Sequence, residues 1–531
     1  MIDNNKIWIA SSDQPLYMIP KMINRHGLIA GATGTGKTVT LKVMAESFSQ
    51  LGIPVFLSDV KSDLSGMCQP GEDSENMQKR IKSFGISQWQ YQSFPTHYWD
   101  IFGQVGHPIR VTVSEMGPVL LGKLLGLSDA QEGVLAIVFR VADDAGYLMD
   151  DLKDLRAMLA YVGEHRKEYT MTYGNISTAS IGAIQRALLQ LEDEGGDIFF
   201  GLPSFEITDW IRTDAQGKGY INILNSTKLI QSPTLYSTFL LWMLSELYEK
   251  LPEVGDLDKP RMVFFFDEAH LLFKDCSSAL IQKVVQIVKL IRSKGVGIYF
   301  ISQSPSDIPD DVLAQLSHRV QHALRAFTPA EQKAVKTVAQ TFRQNPHFKV
   351  EDVIGELKVG EALISFLDED GAPGMVQRAK ILPPQSHIGP GDENMVKQAI
   401  LTSEFELKYR NAIDRHSAYE TLQQVNEKEE LKEEQNKQLK IKEKEEAKAK
   451  AAADKEKAKK AKQKSDIAKK TLNSATSSVS RSISSSISRS IMGGKSTSPE
   501  KIIQRAATNA LSTLLRESGK TITRGLFGTK K

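Results

Sequence analysis

The 531-residue sequence predicts an α/β fold: a mostly parallel sheet, a largely helical insert, and a helical or disordered basic C-terminal tail. Three observations carry that reading. HGLIAGATGTGKTVTLKVMAESFSQLG (26–52) reads as strand, glycine-rich turn and helix, and VFLSDVKSDLSG (55–66) follows as a second apolar strand, which opens a β-α-β unit. MVFFFDEAHLLF (262–273) runs an unbroken apolar stretch into two acids, the pattern of a parallel strand buried on both faces. Residues 404–470 contain neither proline nor glycine and are rich in Glu, Lys and Ala, which favours a long helix supported by i,i+4 Glu–Lys pairs.

Composition narrows the function classes. With 41% hydrophobic residues, the chain can build one large or two medium cores. Cys68 and Cys276 are the only cysteines and lack metal-ligand spacing, so neither a disulfide framework nor a zinc site is expected. The opening MIDNNKIWIASSD has no basic region followed by an apolar core, and no apolar run approaches the ~18–20 residues of a membrane helix. A cytoplasmic protein without an integral membrane segment is expected. Charge is uneven: residues 426–531 carry 26 Lys+Arg against 13 Asp+Glu, and the remainder 41 against 51. Attraction to an anionic partner should therefore come from the tail or from local patches on an acidic body.

In chain order, residues 1–66 hold a small hairpin (IWIA and LYMIP), the first strand, a helix over 38–50 closed near Gly52, and the second strand. Residues 67–218 form the insert, with a strand at 108–115 and helices near 117–126, 129–144, 150–168 and 177–194. Residues 219–390 return to the sheet. They supply GYINILNSTKLI, an amphipathic helix over 232–251, the acidic strand, a helix over 277–294, the strand VGIYFISQSP (296–305), and closing strands in 318–328 and 361–384. The ordered body is expected to end near Pro390. Residues 391–476 follow as a long charged helix, read as singly solvated over a coiled coil because 426–470 lacks a sustained apolar seam. A Ser-rich linker (477–499) and a basic amphipathic segment (500–531) complete the chain.

Gly31-Ala32-Thr33-Gly34-Thr35-Gly36-Lys37-Thr38 matches the P-loop pattern G-x-x-x-x-G-K-[ST] and stands after a strand and before a helix, the context that confirms it. The glycines let the backbone wrap a polyphosphate, and loop N–H groups and the helix N-terminus face the anion. Gly31 to Thr38, with Val39 behind them, are the expected ATP cradle. Lys37 would neutralise phosphate charge and Thr38 would ligate Mg²⁺. Such a loop needs an acidic strand end beside it. Asp267 is the second expected Mg²⁺ ligand, and Glu268 the group that polarises the attacking water.

The tetrapeptide at 267–270 matches DEAH-box helicases, but the layout does not. Lys37 and Asp267 stand 230 residues apart, no Ser-Ala-Thr motif follows, and no second lobe with an Arg-rich motif is present. His270 is accordingly read as incidental. Gln303 ends the next strand, where a neutral amide could hold the attacking water or sense the γ-phosphate.

GATGTGKT, DVKSDLSG, FFFDEAH and KLIRSKGVGIYFISQSP, in that order, resemble the HerA–FtsK superfamily of hexameric DNA-pumping ATPases, and most closely the bacterial HerA-like, YjgR-type family of helicases and NTPases. The resemblance covers about residues 5–390. It implies a RecA-like ATPase core, assembly into a homo-oligomeric hexameric ring, ATP hydrolysis at subunit interfaces, and DNA as the polymer moved. Two departures stand out. HerA proper carries an N-terminal β-barrel, whereas 30 residues precede Gly31 here. The second strand reads Asp59-Val60-Lys61-Ser62 where the pattern has glycine after lysine. Ring ATPases of this kind take an arginine from the neighbouring subunit, and Arg292 is the first candidate, with Arg319 and Arg325 as alternatives. The competing reading is a P-loop NTPase that acts as a regulatory or assembly module, its basic tail binding a protein or membrane partner.

Overall fold

The apolar run Met262–Phe266 is fully buried because it lies in the middle of a sheet covered on both faces. Met262, Phe264 and Phe266 pack into one core, and Val263 and Phe265 into another. The computed structural model describes residues 1–3, 5–273, 278–326 and 328–476. The sequence expectations for 477–499 and 500–531 lie outside the described residues.

The strands are β1 (Ile2–Asp3), β2 (Lys6–Ser11), β3 (Pro15–Met18), β4 (Gly27–Ala30), β5 (Val55–Asp59), β6 (Thr96–Asp100), β7 (His107–Pro108), β8 (Ile221–Asn225), β9 (Met262–Phe266), β10 (Val296–Ser302), β11 (His318–Gln321), β12 (Glu361–Ser365) and β13 (Gln377–Ile381). Their order is β1-β2-β13-β12-β11-β4-β10-β9-β5-β8-β6-β7, with β3 paired to β2. The strands from β11 to β7 run parallel; β12, β13, β2, β1 and β3 form an antiparallel flank. The expected N-terminal hairpin is β2–β3, and through β2 it pairs with β13 near the other end of the body. Helix Lys37–Gln50 covers one face, with Leu41, Met44 and Phe48 in its core. The insert helices and the helix Pro233–Lys250 cover the other.

Several expectations need correction. The strand expected over 108–115 stops at Pro108, because Thr112 and Glu115 close a capping box that starts the helix Val113–Leu124. Within the largely helical insert, a strand that was not expected, β6, with buried Tyr98 and Trp99, joins the central sheet beside β8. Helix Pro233–Lys250 is not amphipathic in practice. It is buried around most of its circumference, since it is enclosed by the sheet on one side and insert helices on the other.

The body does not end at Pro390. Met1–Leu431 form one compact unit. Helices Glu393–Leu401 and Phe405–Tyr409 pack on it, and the charged helix begins at Ala418 rather than 391. Phe405 and Tyr409 complete an aromatic cluster with Trp99 and Phe205, and the Tyr409 hydroxyl donates to Asp209. Arg415 donates from Nε and Nη2 to the two carboxylate oxygens of Asp150, at 2.6 and 2.9 Å. Described residues 426–467 are all exposed. Among the described residues no helix is long and apolar enough to cross a membrane.

Candidate nucleotide-binding site

The glycine-rich loop leaves β4 at the carboxyl edge of the sheet, where ligands bind in open α/β folds. Its first residues are tied to both neighbouring strands. Gly31 N–H donates to Ser302 O at 3.3 Å, and Ala32 N–H to Ala323 O at 2.9 Å. Gly31 and Gly36 adopt φ of 153° and 111°. A Cβ on Gly31 would stand 2.5 Å from Cβ of His322, and one on Gly36 would stand 3.1 Å from Gly360 N. Only glycine fits both places. Gly36 also begins the helix Lys37–Gln50, aiming its N-terminus at the loop. Lys37 Nζ turns back onto the loop, donating to Gly31 O at 2.6 Å and Ala32 O at 3.1 Å.

Opposite this loop, β9 delivers Asp267 and Glu268. Parallel pairing of β9 with β10, and of β10 with β4, brings the three strand ends level. A cavity of about 260 Å³ results, lined by Thr33, Gly34, Gly36, Lys37, Thr38 and Val39 from the loop and helix start, by Asp267 and Glu268, and by Lys61 and Val359 at its rim. Residues 230 apart in sequence thus face one space.

Electrostatics follow from this enclosure. Burial, and then the neighbouring Glu268 carboxylate, push Asp267 up to about 6, against the opposing pull of Lys61 and Lys37. Burial lowers the Lys37 amine, and the two acids partly restore it. A cation between Thr38 and Asp267 would relieve the carboxylate repulsion. The donor set is that of a hard cation shared with a phosphate: one hydroxyl and one carboxylate, with remaining positions for phosphate and water. Among the described residues no cluster of three or more His, Cys, Asp or Glu could hold a metal by itself. The donors present fit a magnesium–polyphosphate pair.

Other expected residues are placed less simply. Gln303 lies one residue past the end of β10, level with the loop and the acids, but it is exposed and outside the cavity lining. Arg292 lies in the turn Ile291–Lys294, immediately before β10. That is the amino edge of the sheet, about 23 Å from the carboxyl edge at ~3.3 Å per strand residue, so Arg292 does not reach the cavity of its own chain. The Arg319 guanidinium lies within 3.4 Å of the Leu316 and Leu313 carbonyls. Arg325 is exposed, beyond the carboxyl end of β11 on the loop's own side of the sheet. Asp59 is buried and accepts from the N–H groups of Asp63 and Leu64 at 3.1 and 3.0 Å, so it shapes its own turn and leaves Lys61 to face the cavity.

Sequence reasoning missed the supports. Buried Tyr236 donates to the main-chain oxygen of Asp267 at 2.8 Å and contacts Ser58 Oγ at 2.9 Å, which in turn contacts Ser226 Oγ at 2.9 Å. His322 bridges Thr40 Oγ1 (2.8 Å) and Glu361 O (3.0 Å) behind the loop. Neither residue carries a motif. Tyr236 sits in an apolar helix and His322 in an ordinary strand end. His270, read as incidental, lies with Nδ1 3.4 Å from Glu268 Oε2.

The family profile described as "Helicase HerA-like C-terminal" matches residues 4–498. The DNA double-strand break repair helicase HerA of Sulfurisphaera tokodaii is 21% identical over 370 residues, covering 67% of this chain and 65% of that protein. A "Probable helicase" of Methanocaldococcus jannaschii is 29% identical over 154 residues, 27% of this chain and 28% of that protein. The chain thus spans less than two thirds of the length of these curated relatives. Among solved structures, the bacterial conjugative coupling protein TrwB lacking its N-terminal segment aligns at 14% identity, covering 73% of this chain and 92% of that one, with a TM-score of 0.48.

Proposed function

Because this chain belongs to the helicase HerA-like C-terminal family, we propose that it is a P-loop ATPase motor that forms a ring and moves along DNA. The observation that carries the reading is the single cavity lined at once by Lys37, Thr38, Asp267 and Glu268. Loop N–H groups and Lys37 bind the β- and γ-phosphates of ATP; Lys37 exchanges the Gly31 and Ala32 carbonyls for phosphate oxygens. Thr38 and Asp267 hold Mg²⁺, which supplies charge neutralisation on the transferring phosphoryl group. Glu268 accepts hydrogen-bond donation from a water and orients it toward the γ-phosphate. Gln303 and a neighbour's arginine complete the site in the assembled ring. For that arginine, Arg292 is the candidate that could act only on another chain's site, with Arg319 and Arg325 as alternatives.

DNA is the favoured polymer because the curated relative that spans most of this chain is named a DNA repair helicase. The second reading, a regulatory or assembly NTPase, draws on the exposure of 426–467 and the excess positive charge beyond residue 426. Turnover measured with and without duplex DNA across a salt series separates the two, since phosphate contacts impose steep salt dependence. DNA stimulation that survives deletion of 432–531 assigns the motor to the body. No stimulation at any salt removes the translocase reading, while loss of hydrolysis in Lys37→Ala and Glu268→Gln keeps the ATPase. Glu268→Gln should still bind ATP; full turnover in that variant would remove the assignment of Glu268. Imaging with a non-hydrolysable ATP analogue tests the ring directly, and a stable monomer counts against it.

A further inference from the structure

Glu268 is held in an unusual way. Its φ of 48° makes it one of four non-glycine residues with positive φ among the described residues, a conformation that costs about 1–3 kcal/mol and concentrates at functional positions. Its N–H is taken by Asp267 Oδ1 at 2.9 Å. Its Oε2 is buried without a hydrogen-bond partner among the described residues, and so is Nδ1 of His270. These two orphaned atoms face each other at 3.4 Å. Buried polar atoms are rarely left unpaired, and this pair stands at 3.4 Å without the alignment of a hydrogen bond, which a rotation of the two side chains would supply. The backbone that carries the imidazole is held in place. Ala269 N–H donates to Ile301 O, Leu271 N–H donates to Glu268 O, and Leu271 and Leu272 are buried, so the turn carrying His270 is fixed to β10 and to the core. Glu268 lines the cavity and His270 does not.

We propose that His270 is a positioning residue for Glu268. With a proton on Nδ1, the imidazole holds Oε2 and thereby turns the second carboxylate oxygen toward the cavity. This rests on the reading of Glu268 as the group that orients the attacking water, and it extends that reading to a side chain outside the cavity. A carboxylate fixed at one oxygen presents the other in one orientation, which is what a positioned base requires.

The test uses the full-length protein with ATP and Mg²⁺, comparing His270→Ala, His270→Asn and Glu268→Gln for steady-state turnover and for binding of a fluorescent ATP analogue. His270→Ala should lower kcat about tenfold or more while KM and analogue affinity stay within about twofold. His270→Asn, whose amide nitrogen can stand where Nδ1 stands, should recover most of the loss. A purely structural role would not yield that rescue or confine the effect to kcat. Wild-type kcat in His270→Ala overturns the proposal, as does a loss confined to KM, or no recovery in a His270→Asn variant whose thermal midpoint is unchanged. These outcomes are distinguishable from failure of the underlying reading. Glu268→Gln at full turnover removes the base assignment and this inference together, whereas an inactive Glu268→Gln beside an unimpaired His270→Ala removes the inference alone.

Discussion

Tyr236 donates its phenolic proton to the main-chain oxygen of Asp267 at 2.8 Å, so the helix Pro233–Lys250 fixes the turn that bears both acids. Ser58 and Ser226 continue this contact into β5 and the end of β8. Tyr236→Phe leaves the Asp267 carbonyl and the Ser58 hydroxyl short of a partner in a buried site. A loss of about 1–3 kcal/mol in chemical denaturation is expected. ATP turnover should fall several-fold with nucleotide affinity little changed. Stability within ~0.5 kcal/mol of wild type would show that the turn does not depend on this bond.

Gly31 and His322 approach too closely for any side chain between them. Gly31→Ala would place a methyl group 2.5 Å from His322 Cβ at a φ of 153°. Either the loop moves or β11 does, and each breaks an anchoring N–H bond. Nucleotide binding should be lost and the thermal midpoint should fall. Gly34→Ala has φ of 77° but open space around the new Cβ, so it should bind nucleotide more weakly while keeping more of its stability. Equal midpoints for the two variants would contradict the packing argument.

Acidification should destabilise the body. Burial holds His26, His107, His318 and His322 near 4, and His97 near 3. Each folded value lies below the unfolded value of about 6.5, so their stabilisation is complete above about pH 6.5 and is lost as pH falls toward 4. Asp59 and Asp267, raised to about 6, act in the opposite sense between about pH 6 and 4. At pH 5 each histidine near 4 contributes on the order of 2 kcal/mol of loss, against on the order of 1 kcal/mol of gain for each acid raised to about 6. Glu46, Asp151 and Glu246, also raised by burial, add to the gain, whereas Asp209, Glu361 and Glu420, which lie below their usual values, add to the loss as pH falls further. Thermal unfolding at pH 7, 6 and 5 at constant ionic strength should show a falling midpoint. A constant or rising midpoint would mean that these imidazoles are solvated.

Truncation should separate the two kinds of C-terminal sequence. A chain ending at Leu431 keeps the Phe405–Tyr409 cluster and the Arg415–Asp150 pair, and should unfold at the wild-type midpoint. A chain ending at Pro390 exposes the face that Phe405 and Tyr409 cover. Each lost aromatic side chain removes about 1.5–3 kcal/mol of burial, so a large drop in midpoint or insolubility is expected. Equal midpoints for the two truncations would make 391–431 an ornament on the body.

Much of the site was legible in the sequence because its signals are local. A glycine-rich turn between strand and helix, and acids that end an apolar run, each state their chemistry within about ten residues. The parallel core was legible for a similar reason: strands buried on both faces read as continuous apolar runs, as in β5, β9 and β10. β6 escaped notice because Thr96 and His97 interrupt its apolar pattern, and His97 is covered by Tyr220 and Phe405, which lie far off in the chain. Residues 391–431 looked like the start of a charged tail because few apolar residues anchor them, and those few bury completely.

The sequence by itself determined which groups could bind a polyphosphate, since glycine, lysine, hydroxyl and carboxylate chemistry belongs to the residues wherever they stand. Only the tertiary structure decided that Lys37 and Asp267 share one cavity, that Arg292 lies at the wrong edge to serve it, and that Tyr236 bonds the turn that bears the acids. Those facts depend on strand order and on which end of each strand a residue occupies. Such relations join residues far apart in the chain, and no local pattern encodes them.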